Sequence, residues 1–247
     1  MTMEFGYWKI RGLAGGIRAL LEYCDADWKD NQYEVVETSE SSENTIKVLE
    51  RKTAWDASQW FDVKKSDEFQ KNFIFPNLPW LKDGDVYLTQ SQTIFKYIAR
   101  KFKMGQNLSD TEAWRVDLAM DQVGDMRMGF FFMLYDLPTH PFANRETFCK
   151  TSLQPQLVQL NRFIGDGTYL AGETLTYADF MTWEVLDHLV RFDETLFNGL
   201  DNIKRFKATF EALPKVKAFM AGDKFMVGPI VNKMASWGGD AELKKTW

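Results

Sequence analysis

Two patterns of apolar and polar residues divide the chain near residue 103. Before that point, short strand-like stretches alternate with amphipathic helical ones, and the strand-like stretches read EFGYWKI, QYEVVE and VYLTQ. Such alternation is typical of a small α/β unit. After it, apolar residues recur at helical spacing, which predicts helices over 111–135, 145–164, 177–197, 201–212 and 214–221. We therefore expect an α/β domain over 1–103 and an all-helical domain over 104–247.

A polar insert, residues 37–55, is the least regular part of the first domain. It begins with ETSESSENT, a run of Ser and Glu with almost no apolar residue. Such a run buries too little surface to offset the entropy lost on ordering. We expect the insert to be mobile.

Composition narrows the class of protein. The 247 residues are 45% hydrophobic and 26% charged, enough for one large or two ordinary cored domains. The net charge of −5 argues against nucleic acid as a partner, since a phosphate-binding surface needs a basic excess. No apolar run reaches the roughly 18 residues that a membrane span requires, and the N-terminus lacks the pattern of a signal peptide. These features indicate a cytoplasmic protein without membrane or nucleic-acid partners.

The two cysteines, Cys24 and Cys149, lie far apart and lack the spacing of metal ligands. Two such widely separated cysteines suit a reducing compartment and argue against a disulfide framework or a metal site.

Tyr7 is a candidate for thiol chemistry. It ends a strand-like stretch and precedes a glycine-containing turn and a predicted helix, GLAGGIRALLEYC. A hydroxyl near a helix N-terminus can stabilise an anion. Because the thiolate is the nucleophile and a free thiol with a pKa near ~8.5 is mostly protonated at neutral pH, such a donor raises the reactive fraction. Taken alone, Tyr7 also fits an ordinary strand aromatic.

Two later motifs suit a peptide-like ligand. In FPNLP, a cis bond between Leu78 and Pro79 would leave the Leu78 backbone free to pair with such a ligand, whereas a trans proline would only end a loop. Gln90 and Ser91 precede an amphipathic helix whose first N–H groups, with the Ser91 hydroxyl, form an anion pocket. A plain N-cap is the alternative for Ser91.

The order of these motifs closely resembles the glutathione transferases, over essentially the whole chain. The motifs are GYWKIRGLA, SQW, FPNLP, TQSQTIFKYIARK, LAGETLTYADF and KMASWG. The resemblance is to the mu class, in an invertebrate-like form with an enlarged loop after the second strand. It implies a thioredoxin-like N-terminal domain that binds glutathione, and an all-helical domain that contributes the electrophile pocket. The implied enzyme conjugates glutathione, its co-substrate, to hydrophobic electrophiles as a detoxification reaction, with no bound cofactor or metal.

The resemblance also implies roles for single residues. The catalytic hydroxyls would be Tyr7, which stabilises the thiolate, and Tyr135, which faces the electrophile. The residues that would bind glutathione are Tyr7, Trp8, Leu13, Trp60, Lys64, Asn77, Leu78, Gln90, Ser91 and Asp125. The residues that would line the electrophile pocket are Trp8, Leu13, Met128, Phe132, Tyr135, Asn232 and Trp237. Asp125 would reach the glutathione bound in the partner subunit, so a homodimer is implied, with Phe75 as an interface anchor.

Spacing supports part of this assignment independently. Asp125, Met128, Phe132 and Tyr135 follow each other at i, i+3, i+7 and i+10, which places them on one helix face. A core stripe would explain Phe132 equally well.

Some positions depart from the family pattern. Ala57 replaces a basic residue, Gly15 stands where a larger side chain is common, and Lys64 is matched only by its distance from Trp60. The insert lengthens the loop before Trp60, and we consider two roles for it, a flap beside the glycyl end of glutathione or a passive surface loop.

Three other activities share this fold. A glutathione-dependent oxidoreductase would need a cysteine where Tyr7 stands. A noncatalytic carrier would keep the glutathione contacts without turnover, and a prostaglandin-type isomerase would keep the thiolate.

Overall fold

The computed structural model describes residues 2–40, 42–47, 54–240 and 242–243. The strands are β1 (Met3–Trp8), β2 (Trp28–Tyr33), β3 (Val36–Thr38), β4 (Thr45–Lys47), β5 (Ala54–Asp56), β6 (Trp80–Asp83) and β7 (Val86–Thr89). The helices are α1 (Gly15–Tyr23), α2 (Ser58–Lys65), α3 (Asp67–Asn72), α4 (Ser91–Lys101), α5 (Asp110–Leu134), α6 (Arg145–Phe148), α7 (Gln154–Ile164), α8 (Tyr177–Phe192), α9 (Asp201–Glu211) and α10 (Pro214–Ala221).

The N-terminal part is a mixed sheet with helices, as the sequence predicted. Its strand order is β2-β1-β6-β7, with β1 parallel to β2 and antiparallel to β6. A parallel pair needs a crossover connection, and α1 supplies it. The central strand β1 is buried along most of its length, and its last residues, Tyr7 and Trp8, lead into the turn before α1. The arrangement is thioredoxin-like.

The rest of the chain is helical, and the predicted stretches 111–135, 201–212 and 214–221 are confirmed as α5, α9 and α10. The predicted stretch 145–164 is helical but divides into α6, a π-helical turn (Cys149–Leu153) and α7. The predicted helix over 177–197 is too long, because α8 ends at Phe192 and extended backbone at Asp193 separates it from a 3-10 helix (Glu194–Phe197). α5 begins at a capping box in which Ser109 and Glu112 bond each other's backbone N–H groups. α8 is buried along most of its length and packs against both α5 and α1. The predicted boundary at 103/104 falls in the turn between α4 and α5.

The insert contains strands that the sequence did not predict. β3, β5 and β4 form a small antiparallel sheet in that order. Trp55 of β5 packs in a cluster with Val35, Ala57 and Met234, called here the insert cluster. Residues 41 and 48–53 of the insert lie outside the described residues. The described residues of the insert are therefore anchored by the apolar side chain of Trp55. The polar run ETSESSENT before it gave no indication of this packing.

A buried ionic network joins the two parts of the chain. Arg11, which is 1% exposed, bonds Glu184 through two nitrogens at 2.9 and 2.8 Å and Asp187 through a third at 2.7 Å. Burial favours the uncharged form of Glu184, but the charge of Arg11 outweighs it and holds the carboxyl pKa well below its usual range. Gly15 makes room for this network, since a Cβ there would lie 1.8 Å from Glu184 Oε1.

The C-terminal segment, residues 226–240, crosses the seam between the two parts. Its Pro229 and Ile230 carbonyls accept hydrogen bonds from the N–H groups of Arg11 and Gly12, each at 2.8 Å. Its Ser236 N–H donates to the carbonyl of Leu134 at 2.7 Å.

Candidate active site

Tyr7 lies at the centre of the site. Its side chain is 6% exposed, and its hydroxyl accepts a hydrogen bond from the Leu13 N–H at 3.2 Å. Because that bond uses a lone pair of the hydroxyl, the Tyr7 proton remains available to a ligand. Gly12 permits the turn, since it has φ of +44° and a Cβ there would lie 2.7 Å from the Tyr7 hydroxyl. Burial raises the pKa of Tyr7, and the Leu13 N–H and the charge of Arg127 partly oppose that rise. Tyr7 is therefore a neutral donor at physiological pH.

A cavity of about 240 Å³ opens beside the Tyr7 hydroxyl and is called here the active-site cavity. Apolar groups from both parts of the chain line it, with polar tips contributed by tyrosines. Of the predicted electrophile-pocket residues, the cavity brings together Leu13, Met128, Phe132 and Tyr135. The i, i+3, i+7 and i+10 spacing on α5 thus places its last three members at the cavity, whereas Asp125 remains exposed outside it.

Tyr135 supplies a second hydroxyl to the active-site cavity. That hydroxyl accepts a hydrogen bond from the Asn232 N–H at 3.0 Å, so its proton is also free to be donated. Burial raises the Tyr135 pKa, so this tyrosine is neutral at physiological pH.

Three predicted pocket residues occupy other places. Trp237 is buried in the core, where its ring meets that of Phe192 edge-on with centroids 5.1 Å apart. Trp8 packs against the insert cluster. Asn232 offers its N–H to Tyr135 and also lines a separate cavity of about 360 Å³ near Lys9.

The FPNLP motif directly precedes β6, an interior strand of the sheet. The Leu78–Pro79 peptide bond is cis, which is one of the two alternatives left open by the sequence. The Leu78 N–H donates to the side-chain oxygen of Asn77 at 2.9 Å.

Gln90 and Ser91 start α4. Gln90 has φ of +72°, a region sparsely populated by residues other than glycine and enriched at binding sites. Ser91 is buried, and its hydroxyl accepts a hydrogen bond from Arg127 Nη2 at 3.3 Å. The Ser91 proton can therefore be donated to an anion beside the first N–H groups of α4.

Trp60 and Lys64 lie one helical turn apart on α2. Trp60 is 3% exposed and packs its ring against Tyr33, with centroids 5.5 Å apart. The insert is bound to the same helix, because Lys65 forms an ion pair with Glu43 at 2.7 Å. The insert therefore lies beside the helix that carries Lys64.

Asp125 and Phe75 are surface residues of the single chain. Phe75 is 70% exposed and its neighbour Ile74 is 87% exposed. Together the two adjacent side chains form a small exposed apolar patch.

Arg127 is a residue of this region that sequence reasoning missed. It is 4% exposed, contacts Ser91 and interacts electrostatically with Tyr7. A possible signal was a single charge inside the apolar run MRMGFFFMLY of α5.

Neither cysteine is poised as a nucleophile. Burial raises the pKa of both Cys24 and Cys149 to about 11, so both thiols are protonated at neutral pH. The described residues contain no group of three or more His, Cys, Asp or Glu side chains that could hold a metal ion. They also contain no helix with the length and apolar character to cross a membrane.

Comparisons with known proteins agree over both parts of the chain. Residues 60–100 match the family described as glutathione S-transferase, N-terminal domain, and residues 124–223 match its C-terminal domain. The chain is 39% identical over 240 residues to glutathione S-transferase Mu 5 of Rattus norvegicus, covering 96% of each protein. It is 38% identical over 237 residues to glutathione S-transferase Mu 3 of Homo sapiens, again covering 96% of each.

A solved structure shows the same fold. The crystal structure of the glutathione S-transferase Blo t 8 superimposes with a TM-score of 0.78 at 25% sequence identity. The match covers 95% of this chain and 99% of the other.

Proposed function

The chain belongs to the mu class of the glutathione transferases, and from that premise we propose that it binds glutathione beside Tyr7, ionises its thiol and conjugates the thiolate to hydrophobic electrophiles. It is an enzyme of the transferase type, with glutathione as co-substrate.

The observation that carries the proposal is the geometry of Tyr7. The Leu13 N–H bonds the Tyr7 oxygen at 3.2 Å, and the hydroxyl borders the active-site cavity. Since the bond from Leu13 polarises the hydroxyl, Tyr7 becomes a stronger donor to a sulfur anion. A thiolate placed there would face an apolar cavity, where one hydrogen bond counts for more than in water.

The remaining contacts to glutathione follow the surface from Tyr7 to α4. The Leu78 backbone would pair with the cysteinyl unit, exchanging its bond to Asn77 for one to the ligand. Gln90 and Ser91 would hold the γ-glutamyl group at the start of α4.

The glycyl end of glutathione would lie toward α2. Trp60 and Lys64 are assigned there, and Trp8 flanks the tripeptide. Because Lys65 ties the insert to the same helix, the insert would border this end of the ligand.

The electrophile would enter the active-site cavity. Its apolar wall would include Leu13, Met128 and Phe132, and Tyr135 would donate a proton or hydrogen bond to a polar group of the acceptor. Asn232 would fix the Tyr135 hydroxyl, and Trp237 would support the wall from the core.

We assign the enzyme to a homodimer. The exposed side chains of Ile74 and Phe75 support this, because each would be buried in an interface with a second copy. Trp114 and Leu118, one turn apart on α5, are 52% and 50% exposed. Asp125 continues that face of α5, which is consistent with its reaching the glutathione of the partner subunit.

We assign the enzyme to the cytoplasm. Both cysteines are free, which suits a reducing compartment that also contains glutathione. Nothing in the site favours the oxidoreductase, carrier or isomerase alternatives.

Substitution of Tyr7 by Phe tests the proposal. The variant should bind glutathione with nearly unchanged affinity, while the pKa of the bound thiol rises and turnover at neutral pH falls about 100- to 1000-fold, as expected for one lost oxyanion donor. The measurements are the pH dependence of kcat/KM with an aryl halide and the ultraviolet absorbance of the bound thiolate.

Tyr33→Phe is the matched control. Tyr33 is also a buried strand tyrosine, and its hydroxyl accepts one hydrogen bond, from Trp80 Nε1 at 3.2 Å. Its loss should leave the thiol pKa unchanged. A Tyr7→Phe enzyme whose pH profile matches that of the control would contradict the assignment.

A further inference from the structure

Arg127 differs from the other buried arginines of the described chain. Arg11 and Arg18 are each about as buried, and each is held by a carboxylate within 2.8 Å. Arg127 has no carboxylate of the described residues within ion-pair distance, and its one hydrogen bond is the 3.3 Å contact to the Ser91 hydroxyl. Its Nε is fully buried and has no hydrogen-bond partner among the described residues.

An unpaired buried charge is unfavourable in the free protein. Removing a guanidinium from water is strongly unfavourable unless a counter-charge and hydrogen bonds replace the lost hydration. Burial lowers the pKa of Arg127 to about 10, so the side chain is still charged at neutral pH. The buried charge of Arg127 is therefore suited to pair with an anion that a bound ligand supplies.

The position of Arg127 identifies that anion. Its guanidinium contacts Ser91, at the start of α4, and interacts electrostatically with Tyr7, at the end of β1. The ionisable group that faces it from α8 is Glu184, which is already paired with Arg11. Asp125 on its own helix is exposed to solvent.

Ser91 and Tyr7 would each bind a different anionic group of glutathione, Ser91 the γ-glutamyl carboxylate and Tyr7 the sulfur. Because Ser91 accepts a bond from Arg127, its own proton is free to be donated to the γ-glutamyl carboxylate. The charge of Arg127 then remains to act on the sulfur beside Tyr7.

We propose that Arg127 is the buried counter-charge that stabilises the glutathione thiolate together with Tyr7. This inference rests on the proposed function. On binding, the S–H bond breaks, its electron pair stays on sulfur and the proton leaves to solvent. Tyr7 stabilises the anion through a hydrogen bond from its hydroxyl, and Arg127 stabilises it through its positive charge.

Arg127→Met tests the inference. A neighbouring positive charge typically lowers the pKa of an acid by about 1 to 3 units, so loss of the Arg127 charge should raise the pKa of the bound glutathione thiol by about 1 to 2 units. Below that pKa, kcat/KM should fall about 10- to 100-fold. The affinity for S-methylglutathione, which has no thiol to ionise, should change less than about threefold.

The ligand-free enzyme provides a second readout. Replacing an unpaired buried charge by an apolar side chain should raise the melting temperature, whereas loss of a merely structural arginine would lower it. Arg127→Lys keeps the charge and should restore most of the low thiol pKa. Arg115→Met is the control on the same helix, since among the described residues the Arg115 guanidinium hydrogen-bonds the carbonyls of Leu170 and Phe163, and its loss should not affect the thiol.

Three outcomes would overturn the inference. One is an unchanged thiol pKa in Arg127→Met; another is an equal loss of affinity for glutathione and S-methylglutathione, which would assign Arg127 to the carboxylate. The third is a Lys variant as impaired as the Met variant. If the proposed function itself were wrong, the wild-type enzyme would form no thiolate and Tyr7→Phe would also have no effect, which separates the two failures.

Discussion

Substitution of Gly15 by Ala should destabilise the protein, although Ala is normally the better helix residue. Gly15 is the first residue of α1, and a Cβ there would lie 1.8 Å from Oε1 and 2.4 Å from Cδ of Glu184. Both atoms belong to a buried carboxylate, so the added methyl group must displace it from Arg11. His188 Nε2, which lies 2.8 Å from the same Oε1, would lose its partner as well.

The magnitude follows from two opposing effects. Breaking a buried ion pair costs about 3–5 kcal/mol. Replacing glycine by alanine in a helix returns about 1 kcal/mol. The net loss in the free energy of unfolding should be about 2–4 kcal/mol, which corresponds to a fall in melting temperature of roughly 4–16 °C for a protein of this size.

The assay is thermal and urea unfolding followed by circular dichroism, at one protein concentration. Gly129→Ala is the matched control: Gly129 lies inside α5, and its added Cβ would meet only the Phe148 ring at an ordinary 3.4 Å. That variant should be as stable as the wild type or up to about 1 kcal/mol more stable.

A compensating change tests the mechanism. Glu184→Asp retracts the carboxylate by one methylene, so Gly15→Ala should cost at least about 1 kcal/mol less in that background than in the wild type. If Gly15→Ala were as stable as Gly129→Ala, or if its cost were the same in both backgrounds, the proposed clash would be refuted.

Further predictions concern assembly and pH. Phe75→Ser should weaken the dimer, as measured by sedimentation, because it removes an interface anchor. Asp125→Ala should leave the dimer intact and weaken glutathione binding about three- to tenfold. A wild-type protein that sediments as a monomer would contradict both predictions. Burial lowers the pKa of His188, so the folded protein binds its proton less readily than the unfolded chain, and the wild type should lose stability relative to His188→Gln as pH falls from 7.5 to 5.5. A stability difference that stays constant over that range would show that His188 does not titrate in this way.

Local periodicity was enough to predict most of the fold. The helices after residue 104 follow the apolar spacing, and α5 brings Met128, Phe132 and Tyr135 to one cavity as that spacing requires. Periodicity did not predict the small sheet of the insert. One bulky residue, Trp55, anchors that sheet, and the polar residues around it give no strand pattern.

Other features depend on contacts between distant parts of the chain. The fit of Gly15 against Glu184 joins residues 169 positions apart, and no local pattern reveals it. The burial of Arg127 against Ser91 likewise arises only when α5 packs against α4. The family resemblance assigns roles to residues but does not specify where their side chains pack. It therefore did not predict that Trp237 packs against Phe192 in the core or that Trp8 packs against the insert cluster.

The C-terminal segment has a consequence for how this enzyme is made. Residues 226–240 bond the turn at Arg11 and Gly12, which leads to the Leu13 N–H, and they also fix the Tyr135 hydroxyl through Asn232. Chains are synthesised from the N-terminus, and domains fold as they emerge from the ribosome. Both halves can therefore pack before the turn at Arg11 and Gly12 and the Tyr135 hydroxyl acquire their final partners. A nascent or truncated chain that ends before this segment would be folded over most of its length but inactive, so thiol chemistry begins only after translation has passed it.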